Sequence, residues 1–201
     1  MHEQGISESI IESAIGGDRE ALNTLWQQSR RWVAAILLAH KPRETDIEDL
    51  LQVVAMQVCR KISTVREPKA FKSWLRTIAI NTAREEGRKT SRRKRSMLKL
   101  VGIEQMNPKP VSPVDVLSEE SDESTRIYRA AMSLPIGYRE PVLLRCLRSM
   151  SYQQIGEVLE LPETTIETRI ARGRRMLKEI LKQQDHQHDE SSSLRAIGGV
   201  R

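Results

Sequence analysis

The sequence predicts an all-α protein: two small helical domains joined by a flexible linker. Two observations predict it. Apolar residues recur at three- and four-residue spacing in segment after segment, and capping residues, glycines and prolines mark the ends. Between two such sets, Asn107, Pro108, Pro110, Ser112 and Pro113 cannot sustain a helix, and the acidic residues Asp115, Glu119, Glu120, Asp122 and Glu123 follow. The boundaries read 7–99 for the first helical domain, 100–123 for the linker, 124–182 for the second domain and 183–201 for a disordered tail.

Ser7 caps a short helix carrying Ile10, Ile11 and Ala14, ended at Gly16-Gly17. Asp18 caps a longer one with Leu22, Leu25, Trp26, Val33, Ile36 and Leu37 inward, and His40-Lys41-Pro42 closes it. His40, with no partner ligand nearby in sequence, reads as a surface residue. Asp46 opens a third helix with Ile47, Leu50, Leu51, Val54, Val58 and Ile62 in one stripe. Asp46, Glu48 and Asp49 in its first turn favour the helix dipole. Glu67-Pro68 starts a fourth, with Phe71, Trp74, Leu75, Ile78 and Thr82 inward. It runs into Arg88, Lys89, Arg92, Arg93, Lys94, Arg95 and Lys99, a cluster that calls for an anion such as the phosphate backbone. After the linker, Ile127, Tyr128, Ala131 and Leu134 give a helix stopped by Pro135 and Gly137. Glu140-Pro141 opens another, with Val142, Leu143, Cys146 and Leu147 inward.

The stretch SYQQIGEVLELPETTIETRIARGRRML, 151–177, follows. Tyr152, Ile155, Val158 and Leu159 mark a short helix, Leu161-Pro162 breaks it, and Ile166, Ile170 and Leu177 form the inner face of the next. The outer face carries Thr164, Thr165, Glu167, Thr168, Arg169, Arg172, Arg174 and Arg175. Helix, sharp turn and a Thr/Arg-rich helix make a helix-turn-helix, whose Arg forks suit guanine edges and phosphates. A helical hairpin with a solvated basic face is the other reading of the same residues.

Composition narrows the function. Lys and Arg number 33 against 27 Asp and Glu, a net charge of +6, which favours a polyanionic partner. Aromatics at 3% leave no base-stacking platform. Cys59 and Cys146 each sit in an apolar pattern and read as buried, reduced thiols without zinc spacing. There is no phosphate-binding glycine loop, no nucleophile motif and no paired carboxylates, so neither enzyme activity nor a cofactor is expected. His186 and His188 beside Asp185, Asp189 and Glu190 read as part of the tail rather than as a metal site. No signal peptide is read at the N-terminus, and the run Trp32–Ala39 is too short to span a bilayer. A cytoplasmic protein without membrane insertion is therefore expected.

Two segments in order resemble a known family. DIEDLLQVVAMQVCRKI with FKSWLRTIAINTAREEGRK is similar to region 2 of bacterial RNA polymerase sigma factors, and LPIGYREPVLLRCLRSMSYQQIGEVLELPETTIETRIARGRRML is similar to region 4. With only a linker between them, the layout resembles the extracytoplasmic-function (ECF) group, over roughly residues 8–182. The resemblance implies a protein without enzymatic activity that binds core RNA polymerase and promoter DNA and directs transcription initiation, with an anti-sigma factor as a further potential partner. It implies polymerase docking through Asp46, Asp49, Leu50, Gln52 and Val53. It implies reading of the minus-ten element through Trp74, Arg76, Asn81, Arg84, Arg88 and Lys89. The minus-thirty-five element falls to Thr164, Thr165, Glu167, Thr168, Arg169, Arg172 and Arg175.

The chain departs from the family pattern at several positions. Val53 stands where an acidic residue is usual, Glu160 where glycine is common in the turn, Glu167 where many members are basic, and Glu85-Glu86 where the pair is more apolar. Glu160 must then accept the turn geometry itself. Glu167 can accept from a cytosine amino group and so is expected to set promoter preference. A free-standing helix-turn-helix regulator, and a degenerate sigma-like module that titrates an anti-sigma factor, are the alternative readings.

Overall fold

The computed structural model describes residues 6–42, 44–100 and 123–197, with side chains for 6–42, 44–96 and 126–184. Among these residues every regular element is helical: α1 (Glu8–Ile15), α2 (Arg19–His40), α3 (Ile47–Lys61), α4 (Phe71–Leu100), α5 (Glu123–Met132), α6 (Ile136–Arg148), α7 (Tyr152–Leu159) and α8 (Glu163–Ile197). Two 3-10 turns, Ile62–Thr64 and Pro68–Ala70, join α3 to α4.

The caps explain where the first helices start. Ser7 accepts from the Ile10 N–H, Asp18 from those of Glu20 and Ala21, and Asp46 from that of Glu48, each occupying a donor that the first helical turn leaves without a partner. Gly17, at φ +96°, turns the chain between α1 and α2.

α2 is the centre of the molecule. It packs against α1, α3 and α4 on one side and α6 on the other. The apolar run from Trp32 to Leu37 is consequently buried all round the helix. The C-terminal helices thus lie against α2 and α4, and one apolar cluster continues from Leu25, Trp32 and Leu37 through Leu143, Leu144 and Ile155 to Ile166.

Several expectations are corrected. His40 is no surface residue: its side chain is 10% exposed and bonds Glu140. α6 begins at Ile136, with Pro135 in the N-cap position and Pro141 inside the helix. Glu140 is therefore a buried interior residue rather than a helix start. Pro141 is the sixth residue of α6, so the N–H it lacks would have bonded the Gly137 carbonyl, and the helix continues past that missing bond. Cys59 and Cys146 are exposed, and Leu147 is 45% exposed, because these positions lie off the buried stripes of α3 and α6. Beyond Lys182, where a disordered tail was expected, α8 runs on to Ile197; no glycine or proline interrupts the chain between Gly173 and Gly198. The side chains of His186 and His188 and the linker residues 101–122 lie outside the described residues.

Candidate nucleic-acid interface

The helix-turn-helix is assembled as the spacing predicts. Ser151 Oγ accepts from the Gln154 N–H (3.1 Å) while Gln154 Oε1 accepts from the Ser151 N–H (2.8 Å), a reciprocal cap that starts α7. This Ser-x-x-Gln signal was legible in the sequence and went unread. α7 ends at Glu160, which adopts the left-handed conformation with φ 54° and ψ 46°. Two glycines let the helices close. A Cβ on Gly156 would stand 2.7 Å from the Leu161 carbonyl oxygen, and one on Gly173 would stand 2.6 Å from Val142 Cγ2.

On α8, Ile166, Ile170 and Gly173 are buried beneath the helix. Thr164, Thr168, Arg172 and Arg175 follow one another at four- and three-residue steps along the opposite side, with Thr165 and Arg169 next to them. Thr168 Oγ1 donates to the Thr164 carbonyl (2.9 Å), which orients its methyl and hydroxyl along the helix. Glu167 is exposed on the flank of this row. Tyr138 of α6 closes an open groove of about 440 Å³ with Thr164, Thr165, Thr168, Arg169 and Arg172. Sequence reasoning missed Tyr138, since only the packing of α6 on α8 brings it there.

On α4 the expected residues divide. Trp74, Asn81, Arg84 and Arg88 recur at seven-, three- and four-residue steps and so share one face; Asn81, Arg84, Arg88 and Lys89 are exposed. Trp74 is half-buried, its ring tilted against Phe71 with centroids 6.0 Å apart. Lys89 meets Glu85 at 3.5 Å and Glu86 at 3.9 Å, so the departure at 85–86 partly neutralises this end of the face. Arg76 does not join the row. It points with Lys72 toward the C-terminal helices, where Arg76 Nη2 donates to Glu140 Oε2 (2.7 Å) and Lys72 pairs with Glu157. Farther along, Lys94 donates to Glu44 (2.8 Å), a bond that leads the causes holding that carboxyl below its ordinary value.

On α3, Asp49, Gln52 and Val53 share an exposed face with Met56, the next residue of the same row; Val53 is 37% and Met56 46% exposed. A shallow groove of about 370 Å³ lies beside it, lined by Trp26, Arg30, Asp49 and Gln52. Leu50 is buried at 3% exposure, so its side chain seats the helix and cannot itself meet a partner. Asp46 is occupied as the N-cap. Met56 was missed because it is apolar yet lies off the core stripe.

Glu140 carries opposed influences. Burial pushes its carboxyl up, but the bonds from His40 and Arg76 and their charges outweigh that and hold it below its ordinary value of 4.5.

Comparison with known proteins identifies the family. The model of Sigma-70 region 2 matches residues 25–93, and that of Sigma-70 region 4 matches 124–177. The ECF RNA polymerase sigma-E factor of Haemophilus influenzae is 30% identical over 185 residues, covering 89% of this chain and 96% of that protein. The chain belongs to the ECF sigma factors. The sigma-E factor of Escherichia coli K12 is 27% identical over 179 residues, covering 87% of this sigma factor and 93% of its own length. A solved structure of CnrH in complex with the cytosolic domain of CnrY shares the fold with a TM-score of 0.57 at 22% identity, over 88% of this sigma factor and 97% of that chain. As an ECF sigma factor, this protein serves RNA polymerase in transcription initiation by directing it to promoter DNA. Among the described residues of the sigma factor, no helix is long and apolar enough to cross a membrane.

Proposed function

We propose that the three faces divide the work of initiation. The row Thr164, Thr168, Arg172 and Arg175, with the half-buried Thr165 and Arg169 beside it and Glu167 at its edge, reads the minus-thirty-five element in the major groove. Trp74, Asn81, Arg84, Arg88 and Lys89 engage the minus-ten element, with Arg76 on the same helix as a further cation toward it. Asp49, Gln52, Val53 and Met56 dock on core polymerase, with Asp46 and Leu50 fixing the helix that presents them. The domains run 7–99 and 124–182, with 100–123 as the tether and 183–201 as a C-terminal extension. The protein works by binding rather than catalysis, in the cytoplasm, where polymerase and promoter are. An anti-sigma factor that covers one of these faces is the further partner this reading implies.

The observation that supports it best is the α8 row: hydroxyls and guanidinium groups at helical spacing, facing solvent, on a helix whose underside is locked by Ile166, Ile170 and Gly173. Run-off transcription with core polymerase on a promoter selected from a random library tests it. Arg172→Ala should lower promoter affinity about tenfold and reduce the salt slope by about one. A purified sigma factor that fails to associate with core polymerase even at low ionic strength refutes the reading.

A further inference from the structure

Among the described residues, Tyr138 is the one member from outside α8 that lines the groove of about 440 Å³ along Thr164, Thr165, Thr168, Arg169 and Arg172. It is the third residue of α6 and is half-buried. Its root is fixed where α6 crosses α8. A Cβ on Gly173 would stand 3.4 Å from Tyr138 Cβ and 3.5 Å from the Tyr138 carbonyl oxygen, and one on Gly137 would stand 3.8 Å from Arg169 Nη1. The side chain therefore starts on the flank of α8 that carries Arg169 and Gly173, not on the line of Thr164, Thr168 and Arg172.

The hydroxyl is uncommitted. Of the three tyrosines, Tyr128 donates to the Leu38 carbonyl (3.5 Å) and Tyr152 takes the Arg145 guanidinium over its ring, 5.1 Å from the centroid. The Tyr138 hydroxyl makes no hydrogen bond among the described residues. Packing accounts for the ring but not for the oxygen at its end.

The dimensions of DNA say what that oxygen meets. An α-helix with its side chains is about 10–12 Å across, and the major groove is about 12 Å wide. A recognition helix seated there fills the groove, so the base edges fall to its own outward row. A side chain rooted on a second helix, at the flank of the first, arrives at the groove wall, and that wall is phosphate. A phenol suits the position, with its apolar ring against α8 and a donor at the tip.

We propose that Tyr138 is a backbone-positioning residue: its hydroxyl donates to one phosphate at the rim of the minus-thirty-five element and so fixes the depth and register at which α8 enters the groove. The proposal rests on the minus-thirty-five reading of α8 above. Because the donor carries no charge, it adds affinity without adding to the salt slope, and because phosphate is common to every sequence, it discriminates no base.

Holoenzyme reconstituted from core polymerase and the full chain, bound to a promoter duplex selected from a random library, supplies the test. Affinity is measured between about 50 and 200 mM salt. Tyr138→Phe, which removes only the oxygen, should bind about tenfold more weakly, with the salt slope, the base preference and Tm unchanged. A scan placing one uncharged methylphosphonate at a time along both strands of the minus-thirty-five element should find a phosphate whose neutralisation weakens wild type about tenfold more than it weakens Tyr138→Phe. Tyr138→Met, also without a hydroxyl, repeats the cycle if Tyr138→Phe does not fold. Undiminished binding, a loss confined to certain bases, or a loss coupled to no phosphate each overturns the proposal while leaving the reading of α8 intact. Unchanged affinity and slope in Arg172→Ala overturn that reading instead.

Discussion

Gly173 is the position where one added carbon has the most calculable effect. Its Cβ would stand 2.6 Å from Val142 Cγ2 and 3.4 Å from Tyr138 Cβ, about 1 Å inside normal carbon contact at the first. Val142 is 1% exposed and has no room to swing away, so α8 must lift from α6. Overpacking of this kind costs about 1–3 kcal/mol. Replacing a helical glycine with alanine returns about 1 kcal/mol. Gly173→Ala should therefore destabilise by up to about 2 kcal/mol and lower Tm by up to about 8 °C. Val142→Ala alone should cost about 2 kcal/mol for the buried methyl groups it removes. In the double variant the new methyl takes the vacated space, so the two changes should couple favourably by at least about 1 kcal/mol. Urea unfolding followed by circular dichroism on all four proteins gives the cycle. Under the proposed reading, in which Arg169 and Arg172 contact bases, the lift moves both away, so Gly173→Ala should also weaken binding to a minus-thirty-five duplex about fivefold or more, with recovery in the double variant. Additivity within about 0.5 kcal/mol, or a Gly173→Ala protein more stable than wild type, would refute the packing argument.

Other residues give independent checks. Glu160→Gly should raise stability by about 0.5–1 kcal/mol, since it removes a side chain from φ 54° at the end of α7; a drop in Tm would show that Glu160 makes a contact worth more than the strain. Glu167→Ala should leave stability within about 0.5 kcal/mol of wild type while relaxing base preference at one minus-thirty-five position, which selection from a random promoter library would reveal. The contact of α6 with α2 and α4 should weaken in acid. Glu140 is held below its ordinary value of 4.5 when it faces His40 and Arg76, so its contribution is complete above that value and is lost as pH falls through the lowered one. The urea midpoint should fall over that range in wild type and show a flatter acid limb in Glu140→Gln.

What the sequence settled by itself is what a single helical turn can encode. Ser7, Asp18 and Asp46 cap the helices they were expected to cap, because a side-chain oxygen need only reach an N–H two or three residues on. The Thr/Arg row of α8 and the left-handed Glu160 were legible for the same reason: period and turn chemistry are local. Tertiary structure alone decided the rest. Glu140 lies 100 residues from His40 and 64 from Arg76, and no spacing rule links them. Arg76 looked like one more cation of the minus-ten face until α6 supplied the carboxylate that turns it away. The run Trp32–Ala39 did carry a sign, since a helix apolar on every side must be covered on every side, but not which partner covers it. That partner is α6, and its choice depends on how two separate apolar surfaces fit, a property of shape that residue order does not display.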